Sequence, residues 1–397
     1  MIIKPKIRGN FFTNAHPYGC EAFVKNQIDE AKRLPSFTGP NNVLVIGGSS
    51  GYGLSSRVAL AFAANANTVN VSFESPPKGK RTGSAGWWNN VFFQRHAKET
   101  GNTHKDFVGD AYVQATKLAV AKYIKAHLGH IDLLVYSLAA PSRLNEKTGE
   151  RIHSSLKTIG APVEGQTVDI ANRQLANVRV ESASKQEVDD TVFVMGGDDW
   201  RQWVETLREQ GLLGSSFKTV AYTYIGGETT RKIYRDGSIG QAKVHLEQTA
   251  RAMHDTLSRT LGGEALVSSS KAVATKASVF IPQMPVYGAC LYNVMLENGT
   301  HESILAHKHR LFAEMIYGDQ RIVDEAGRIR LDHREMAPEV QDATLRLMRE
   351  SDEDRLFSLR GMDAFIHELY TLNGFGFADI DYDKPVDMDA LALMEPE

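Results

Sequence analysis

The chain has 397 residues, a formal net charge of -3 and 42% hydrophobic residues, so it can bury a large core and exceeds the usual size of one domain. The near-neutral balance, with no long basic tract, gives no reason to expect nucleic acid, and no apolar run of about 18 residues suggests a membrane span. Cys20 and Cys290 build neither a disulfide framework nor a zinc site, and MIIKPKIRGN has too short an apolar run for a signal peptide, so reduced cytoplasm is the expected compartment.

Residues 1–40 read as an N-terminal extension. Ile2, Ile3 and Ile7 suit a short strand or hairpin, and a helix follows from about Cys20 to Leu34. Tyr18 and Lys25 precede the nucleotide-binding pattern and are taken as structural. Val43-Leu44-Val45-Ile46 is a buried parallel strand by pattern. It runs into GGSSGYG, residues 47–53, and then a helix that buries Leu54, Val58, Ala61 and Phe62. Strand, glycine turn and helix form the context of a dinucleotide fingerprint: glycines let the backbone approach a pyrophosphate, and the helix N-terminus supplies N–H groups. The spacing Gly47-x3-Gly51-x-Gly53 resembles that of the short-chain dehydrogenase/reductases.

A second strand, Thr68–Phe73, ends at Glu74. An acid there accepts hydrogen bonds from an adenosine ribose and repels a 2′-phosphate, which favours NADH over NADPH, although Lys78, Lys80 and Arg81 follow closely. GSAGWWN, residues 83–89, is read as an aromatic loop, either covering a cofactor or packing two tryptophans on the core. A third strand, about Asp106–Gly109, leads to Asp110-Ala111, where a carboxylate is placed to bind the adenine amino group. A helix from Val113 to Ala126 precedes a fourth strand, Ile131–Ser137, ending in Leu138-Ala139-Ala140-Pro141. Small residues at that strand end let a cofactor lie close.

Residues 142–190 are polar and lack long apolar periodicity, so they read as an insertion at the active-site edge. Val192–Leu212 is expected as one helix, Phe217–Tyr224 as the fifth strand and Ala265–Ser268 as the sixth. Val273, Ala274 and Thr275 lie just beyond that strand, where a nicotinamide amide could be held. Ile281, Met284, Pro285, Tyr287, Leu291 and Met295 suit either an acyl-chain pocket or an ordinary buried helix. From about Gly299 the chain is helical and charged. His301, His307 and His309 fit no metal-binding motif and are expected on the surface, so no metal is expected.

Tyr224, Tyr234 and Lys243 carry the chemistry. Tyrosine and lysine are the pair that nicotinamide-dependent reductases use. Residues nine apart on one unbroken helix point to roughly opposite sides, since each residue turns about 100°. Tyr234 and Lys243 therefore converge only if Tyr234 precedes the helix, and Asp236-Gly237 supplies the turn. Leu246, Ala250, Met253, Leu257 and Leu261 continue the helix as its core face until Gly262-Gly263. None of the 13 tyrosines has a lysine four residues later, the spacing of ordinary short-chain carbonyl reductases. The longer spacing points to reduction of a carbon–carbon double bond conjugated to a thioester.

The sequence closely resembles the V-type (FabV) bacterial enoyl-[acyl-carrier-protein] reductases and the related trans-2-enoyl-CoA reductases. The resemblance covers nearly the whole chain: IIKPKIRG, AHPYGCEA, VLVIGGSSGYGL, SLAAPSR, VMGGDDW and IYRDGSIGQAK, with Tyr-x8-Lys as the most diagnostic feature. It implies an NADH-dependent, usually monomeric enzyme of fatty acid synthesis. The expected fold is α/β, a Rossmann-type doubly wound parallel sheet with N-terminal, substrate-portal and C-terminal additions. The expected division is an extension at 1–40, a catalytic domain at 41–298 and a helical extension at 299–397.

The resemblance carries the proton-donor role to Tyr234, cofactor binding to Lys243 and substrate contact to Tyr224. It places cofactor contacts at Gly47, Gly48, Ser49, Ser50, Gly51, Tyr52, Phe73, Glu74, Asp110, Ala111, Leu138, Ala139, Val273, Ala274 and Thr275. The expected partner is an enoyl-CoA or an enoyl-acyl-carrier-protein. Family descriptions mention a flavin-binding C-terminal region, but nothing in the residues indicates FAD and none is expected. Gly226-Gly227 and Ser268-Ser269-Ser270 depart from the family pattern near the pocket. The alternatives are a short-chain carbonyl reductase and a catalytically silent NADH-binding protein.

Overall fold

The computed structural model describes residues 1–8, 10–275 and 281–396. A short hairpin, β1 (Ile7–Arg8) and β2 (Phe11–Phe12), precedes α1 (Pro17–Arg33). The helix begins at Pro17, ahead of the expected Cys20, because the His16 ring caps it by accepting the Gly19 N–H at 3.2 Å.

The central sheet has seven parallel strands. In chain order they are β3 (Asn42–Ile46), β4 (Asn67–Ser72), β5 (His104–Val108), β6 (Ile131–Tyr136), β11 (Leu213–Thr223), β12 (Glu264–Ser269) and β13 (Ile329–Arg330). Their order across the sheet is β13-β12-β11-β6-β3-β4-β5. The chain builds outward from β3 to β5, then crosses to β6 on the other side of β3. That reversal opens a crevice at the C-terminal ends of β3 and β6, where ligands of open α/β sheets bind. The architecture is the Rossmann-type doubly wound sheet expected from the glycine turn.

Both faces are covered. Helices α2 (Gly51–Phe62) and α3 (Ala85–Ala97) follow β3 and β4, and α4 (Gln114–His127) follows β5. Two antiparallel hairpins occupy much of the insertion: β7 (Ser142–Leu144) with β8 (Arg151–His153), and β9 (Val163–Asp169) with β10 (Gln174–Val180). The single helix expected over Val192–Leu212 is two, α5 (Lys185–Met195) and α6 (Asp198–Glu209). They part at Gly196-Gly197, where a side chain on Gly197 would collide with Thr249. Trp200, Trp203 and Leu207 of α6 pack on the sheet beside Leu246, Ala250, Met253 and Leu257. On the opposite face lie Leu311, Phe312, Met315 and Ile316.

The segment at 83–89 is not the expected loop. Ser84 accepts the Trp87 N–H, α3 starts at Ala85, and Trp88 is fully buried with Nε1 donating to Thr82 O at 2.7 Å. The three histidines expected on the surface are also placed otherwise. His307 and His309 are buried, paired with Glu302 and with Pro35 O respectively, and His301 packs its ring on Tyr292. Among the described residues no group of three or more His, Cys, Asp or Glu is placed to hold a metal, and no helix is long and apolar enough to cross a membrane.

The remaining helices follow β11 in the chain. They are α7 (Arg231–Tyr234), α8 (Ser238–Leu261), α9 (Met284–Glu297), α10 (Ile304–Arg310), α11 (Pro338–Glu350), α12 (Glu353–Ser358), α13 (Arg360–Thr371) and α14 (Met388–Leu391).

Candidate active site

The turn after β3 has the shape of a phosphate cradle. Gly47 has φ +87°, and a Cβ there would lie 2.2 Å from Ser137 O, so no side chain fits where β3 meets the end of β6. A Cβ on Gly53 would lie 2.0 Å from Gly47 O. Gly51, with φ +52°, instead faces open space, with nothing within 4 Å of its would-be Cβ. Ser50 makes no side-chain cap bond to α2, so the first N–H groups of that helix remain available to an anion. Asn70, which the sequence pattern did not single out, holds the turn by accepting the Gly48 N–H at 2.8 Å. Asn70 in turn donates to Asp106 at 2.7 Å, and Asp106 is paired with the buried Arg57.

Glu74 lies at the mouth of this cradle, beside the strongly exposed Phe73. Its two oxygens accept from Ser49 Oγ at 2.6 Å and from Ser84 Oγ at 2.5 Å. Asp110 accepts the N–H of Tyr112 at 2.9 Å. The Ala111 carbonyl is turned inward to Lys117 Nζ and Trp203 Nε1. Leu138 and Ala139 follow β6, facing the Gly47 turn, with Leu138 leaning on the core and Ala139 exposed. These residues fit a dinucleotide: free N–H groups and glycines at the helix start, and a carboxylate at the end of β4.

Tyr234 is the last residue of α7, and α8 starts only at Ser238, so the helix breaks between Tyr234 and Lys243 as their spacing requires. The break is held from outside: Lys157 O accepts the Ser238 N–H at 2.9 Å, and Ser155 O accepts from Ser238 Oγ at 2.5 Å. The rings of Tyr224 and Tyr234 meet edge to face at 4.8 Å. Lys243 Nζ lies 4.6 Å from the centre of the Tyr234 ring and donates to Tyr224 O at 2.5 Å.

Burial raises the pKa of both phenols, and the nearby Glu335 carboxyl raises them further. Burial, then the Arg235 charge, lowers Lys243 to about 7. Burial and the Glu335 carboxyl therefore keep both phenols protonated, as acids.

The strand end that would hold a nicotinamide is tied down by residues missed in the sequence. Ser269 Oγ donates to Asp332 at 2.7 Å, Ala272 N to Glu335 at 2.5 Å and Ala274 N to Glu368 at 3.4 Å. Val273 and Ala274 are buried. Thr275 follows them in the same loop. Tyr52 O–H donates to Lys271 O, which joins the glycine turn to this loop. Asp332, Glu335 and Glu368 lie in a stretch that reads as solvated helix, and no local pattern marks them. Ile281, Met284, Tyr287, Leu291 and Met295 are at most 2% exposed and pack with Ile233 and Ile239 under Tyr224 and Tyr234. With Pro285, also buried, they form a packed floor to the site.

Comparison with known proteins places the chain. Residues 81–317 match a family model for the trans-2-enoyl-CoA reductase catalytic region, and residues 2–79 match the NAD(P)H binding domain of trans-2-enoyl-CoA reductase. Residues 323–386 match a model called enoyl reductase FAD binding domain. The chain is 42% identical to the trans-2-enoyl-CoA reductase [NADH] of Clostridium acetobutylicum over the full length of both. It is 44% identical to the enoyl-[acyl-carrier-protein] reductase [NADH] of Pseudomonas paraeruginosa over 98% of each. The crystal structure of the C. acetobutylicum reductase in complex with NADH superposes with a TM-score of 0.97 over all of both chains, at 42% identity. That of the Treponema denticola reductase in complex with NAD superposes at 0.91, with 39% identity, over 97% of this chain and 98% of that one.

Proposed function

The chain belongs to the trans-2-enoyl-CoA reductase family, and on that premise we propose that it reduces the C2–C3 double bond of trans-2-enoyl thioesters, with NADH as reductant. The observation that carries the reading is the meeting of Tyr224, Tyr234 and Lys243 at the sheet end, where the loop after β12 is tied by Tyr52 to the glycine turn. When bound, the dinucleotide supplies the hydride that saturates C3. The chain's own residues handle the charge and the proton.

In this reading the Gly47–Tyr52 turn and the start of α2 take the pyrophosphate, and Glu74 takes the adenosine ribose. Asp110-Ala111, Leu138-Ala139 and Val273–Thr275 bound the remaining cofactor surface. Lys243 holds the nicotinamide ribose. Negative charge develops on the thioester oxygen as C3 is reduced. Tyr234, kept protonated by burial, meets that oxygen and delivers the proton. Tyr224 adds a second hydrogen bond.

Coenzyme A and acyl carrier protein present the same phosphopantetheine thioester, and both remain substrates in this reading. Arg235 and Arg231 beside Tyr234 are paired with Glu247 and Asp236, so the fold already neutralises part of that basic cluster. The residues matching the FAD model do not fit a flavin phosphate: three of their carboxylates, those of Asp332, Glu335 and Glu368, point at the loop after β12. No step runs through a flavin. Residues 41–298 are read as the catalytic unit, packed with the segments 1–40 and 299–397, and the enzyme as a cytoplasmic monomer. Cys20 and Cys290, both buried, suit a reducing compartment.

The test is NADH oxidation by the purified protein with crotonyl-CoA, repeated with NADPH. Rapid oxidation of NADH and slow oxidation of NADPH is the expected result. Turnover of ketones in place of enoyl thioesters would make the chain a carbonyl reductase. NADH binding without turnover of either would make it a silent binding protein.

A further inference from the structure

Glu335 is fully buried behind Tyr224. Its Oε2 accepts the Ala272 N–H at 2.5 Å, and its Oε1 is shared by Tyr287 O–H at 2.8 Å and Tyr224 O–H at 3.2 Å. The direction of each bond can be followed. An amide N–H only donates. Gln341 Nε2 donates to the Tyr287 oxygen at 2.9 Å and to Glu335 O at 2.8 Å, so the Tyr287 proton is directed at the Glu335 side chain. Tyr224 differs. Its other close neighbours include the Thr230 hydroxyl, which can give or take a hydrogen bond, and the Tyr287 oxygen, which can accept one. Tyr224 is thus the partner of Glu335 that can reverse.

We propose that Glu335 is a positioning residue that sets which way the Tyr224 hydroxyl points. Ionised, Glu335 takes the Tyr224 proton as a hydrogen bond and withholds it from the substrate. Protonated, it donates to the Tyr224 oxygen and turns the Tyr224 proton toward the thioester oxygen. The proton stays on Glu335 throughout, and Tyr234 remains the group that supplies the consumed proton. The inference rests on the reading that Tyr224 meets that oxygen.

The surroundings put the switch in an accessible range. Burial raises Glu335 to about 7, and Asp332 pushes the same way, while the Ala272 N–H and the Tyr287 and Tyr224 hydroxyls oppose it. The charged and titratable groups facing it are Arg330 of β13, Asp332 just after it, Lys271 after β12, Tyr52 from α2, Tyr224 after β11, Tyr234 from α7 and Tyr287 from α9. Arg330 is paired with Asp332 at 2.8 Å, and Lys271 Nζ donates to Glu302 O at 2.6 Å.

The experiment measures kcat against pH at saturating NADH and crotonyl-CoA for the wild type, Glu335→Gln and Tyr224→Phe. Saturating NADH removes the contribution of Lys243 to cofactor binding. Wild-type kcat should fall about tenfold between roughly pH 6.5 and 8.5 as Glu335 ionises. In Glu335→Gln the amide oxygen can keep the Ala272 bond while its NH2 donates to Tyr224 at every pH. Its profile should be flat, with kcat at pH 8.5 at least about threefold above the wild type. Tyr224→Phe should lower kcat and also abolish the limb. Three results would overturn the proposal: a wild-type limb that persists in Glu335→Gln, one that persists in Tyr224→Phe, or a Glu335→Gln enzyme that binds NADH normally but is slow at every pH. If Glu335→Gln does not fold, Tyr224→Phe decides alone. A wild type that never oxidises NADH with crotonyl-CoA removes the enoyl-reductase reading itself, before any variant is compared.

Discussion

The Lys243 ammonium lies 4.6 Å from the centre of the Tyr234 ring, yet its hydrogen bond goes to the main-chain oxygen of Tyr224 at 2.5 Å. One lysine thus ties the strand end that carries one tyrosine to the helix that follows the other. Both tyrosines are held by a residue nine positions beyond the second of them, which an unbroken helix would not allow.

Replacing Tyr234 with Phe keeps the ring contact with Tyr224 and removes only the acid. Loss of one donor to a developing oxyanion typically costs about 2.7–4 kcal/mol, or roughly a hundredfold to a thousandfold in kcat. We expect that loss with NADH affinity within about twofold of the wild type, read by steady-state kinetics and fluorescence titration. Near-normal turnover would remove Tyr234 from the chemistry.

Lys243→Ala should act on cofactor binding first, with NADH bound at least about tenfold more weakly. Lys243 is lowered to about 7, so its charge is present below that pH and lost above it. Wild-type NADH affinity should accordingly fall as pH rises through neutrality, and the slope should vanish in Lys243→Ala. A variant that keeps both affinity and slope would show that the ammonium does not hold the cofactor.

Glu74→Gln retains the shape of the carboxylate but not its charge, and its oxygen can still accept from one of the two serines that hold it. Without the repulsion of a 2′-phosphate, and with Lys78, Lys80 and Arg81 close in sequence, the preference for NADH over NADPH should narrow by about tenfold. Comparing kcat/KM for the two cofactors measures it. An unchanged ratio would place the discrimination elsewhere.

Glu264 offers a test of stability far from the chemistry. Arg321 grips it with two nitrogens, at 2.6 and 3.1 Å, and Lys218 pairs with it from the neighbouring strand. The Arg321 hydrogen bonds lower its carboxyl from 4.5 to about 2, against the effect of burial. Since the folded-state pKa is depressed, the stabilisation is complete above the unfolded value of 4.5 and is lost as pH falls toward 2. Glu264→Gln should cost roughly 1–3 kcal/mol in urea unfolding at pH 7, a gap that closes as the solution is acidified. A gap independent of pH would mean that packing, not charge, is responsible.

What the sequence made legible was local. Val43–Ile46 is apolar throughout and ends at Gly47, whose positive φ and close approach to Ser137 leave no room for a side chain, so strand, turn and crevice could be placed together. The Asp236-Gly237 turn made the meeting of Tyr234 and Lys243 readable from spacing. Where reading failed, the cause was distance or ambiguity. GSAGWW looks like a loop until Ser84 is recognised as a helix cap. Glu335 is 63 residues from Ala272 and 111 from Tyr224, and nothing in LDHREMAPE announces either contact. His307 lies in a charged stretch, yet it is buried because Glu302 and the Lys271 N–H satisfy both ring nitrogens.

The placement of β13 and the three carboxylates has a consequence for biosynthesis. Residues 329–330 complete the sheet edge next to β12, and Asp332, Glu335 and Glu368 hold the loop that follows that strand. A chain emerging from the ribosome has its glycine turn, both tyrosines and its lysine long before those anchors are made. The nascent polypeptide is therefore a reductase in composition but not in geometry until translation is nearly finished. A truncation before residue 329 should yield an inert protein with every acid and base of the reaction still in its sequence.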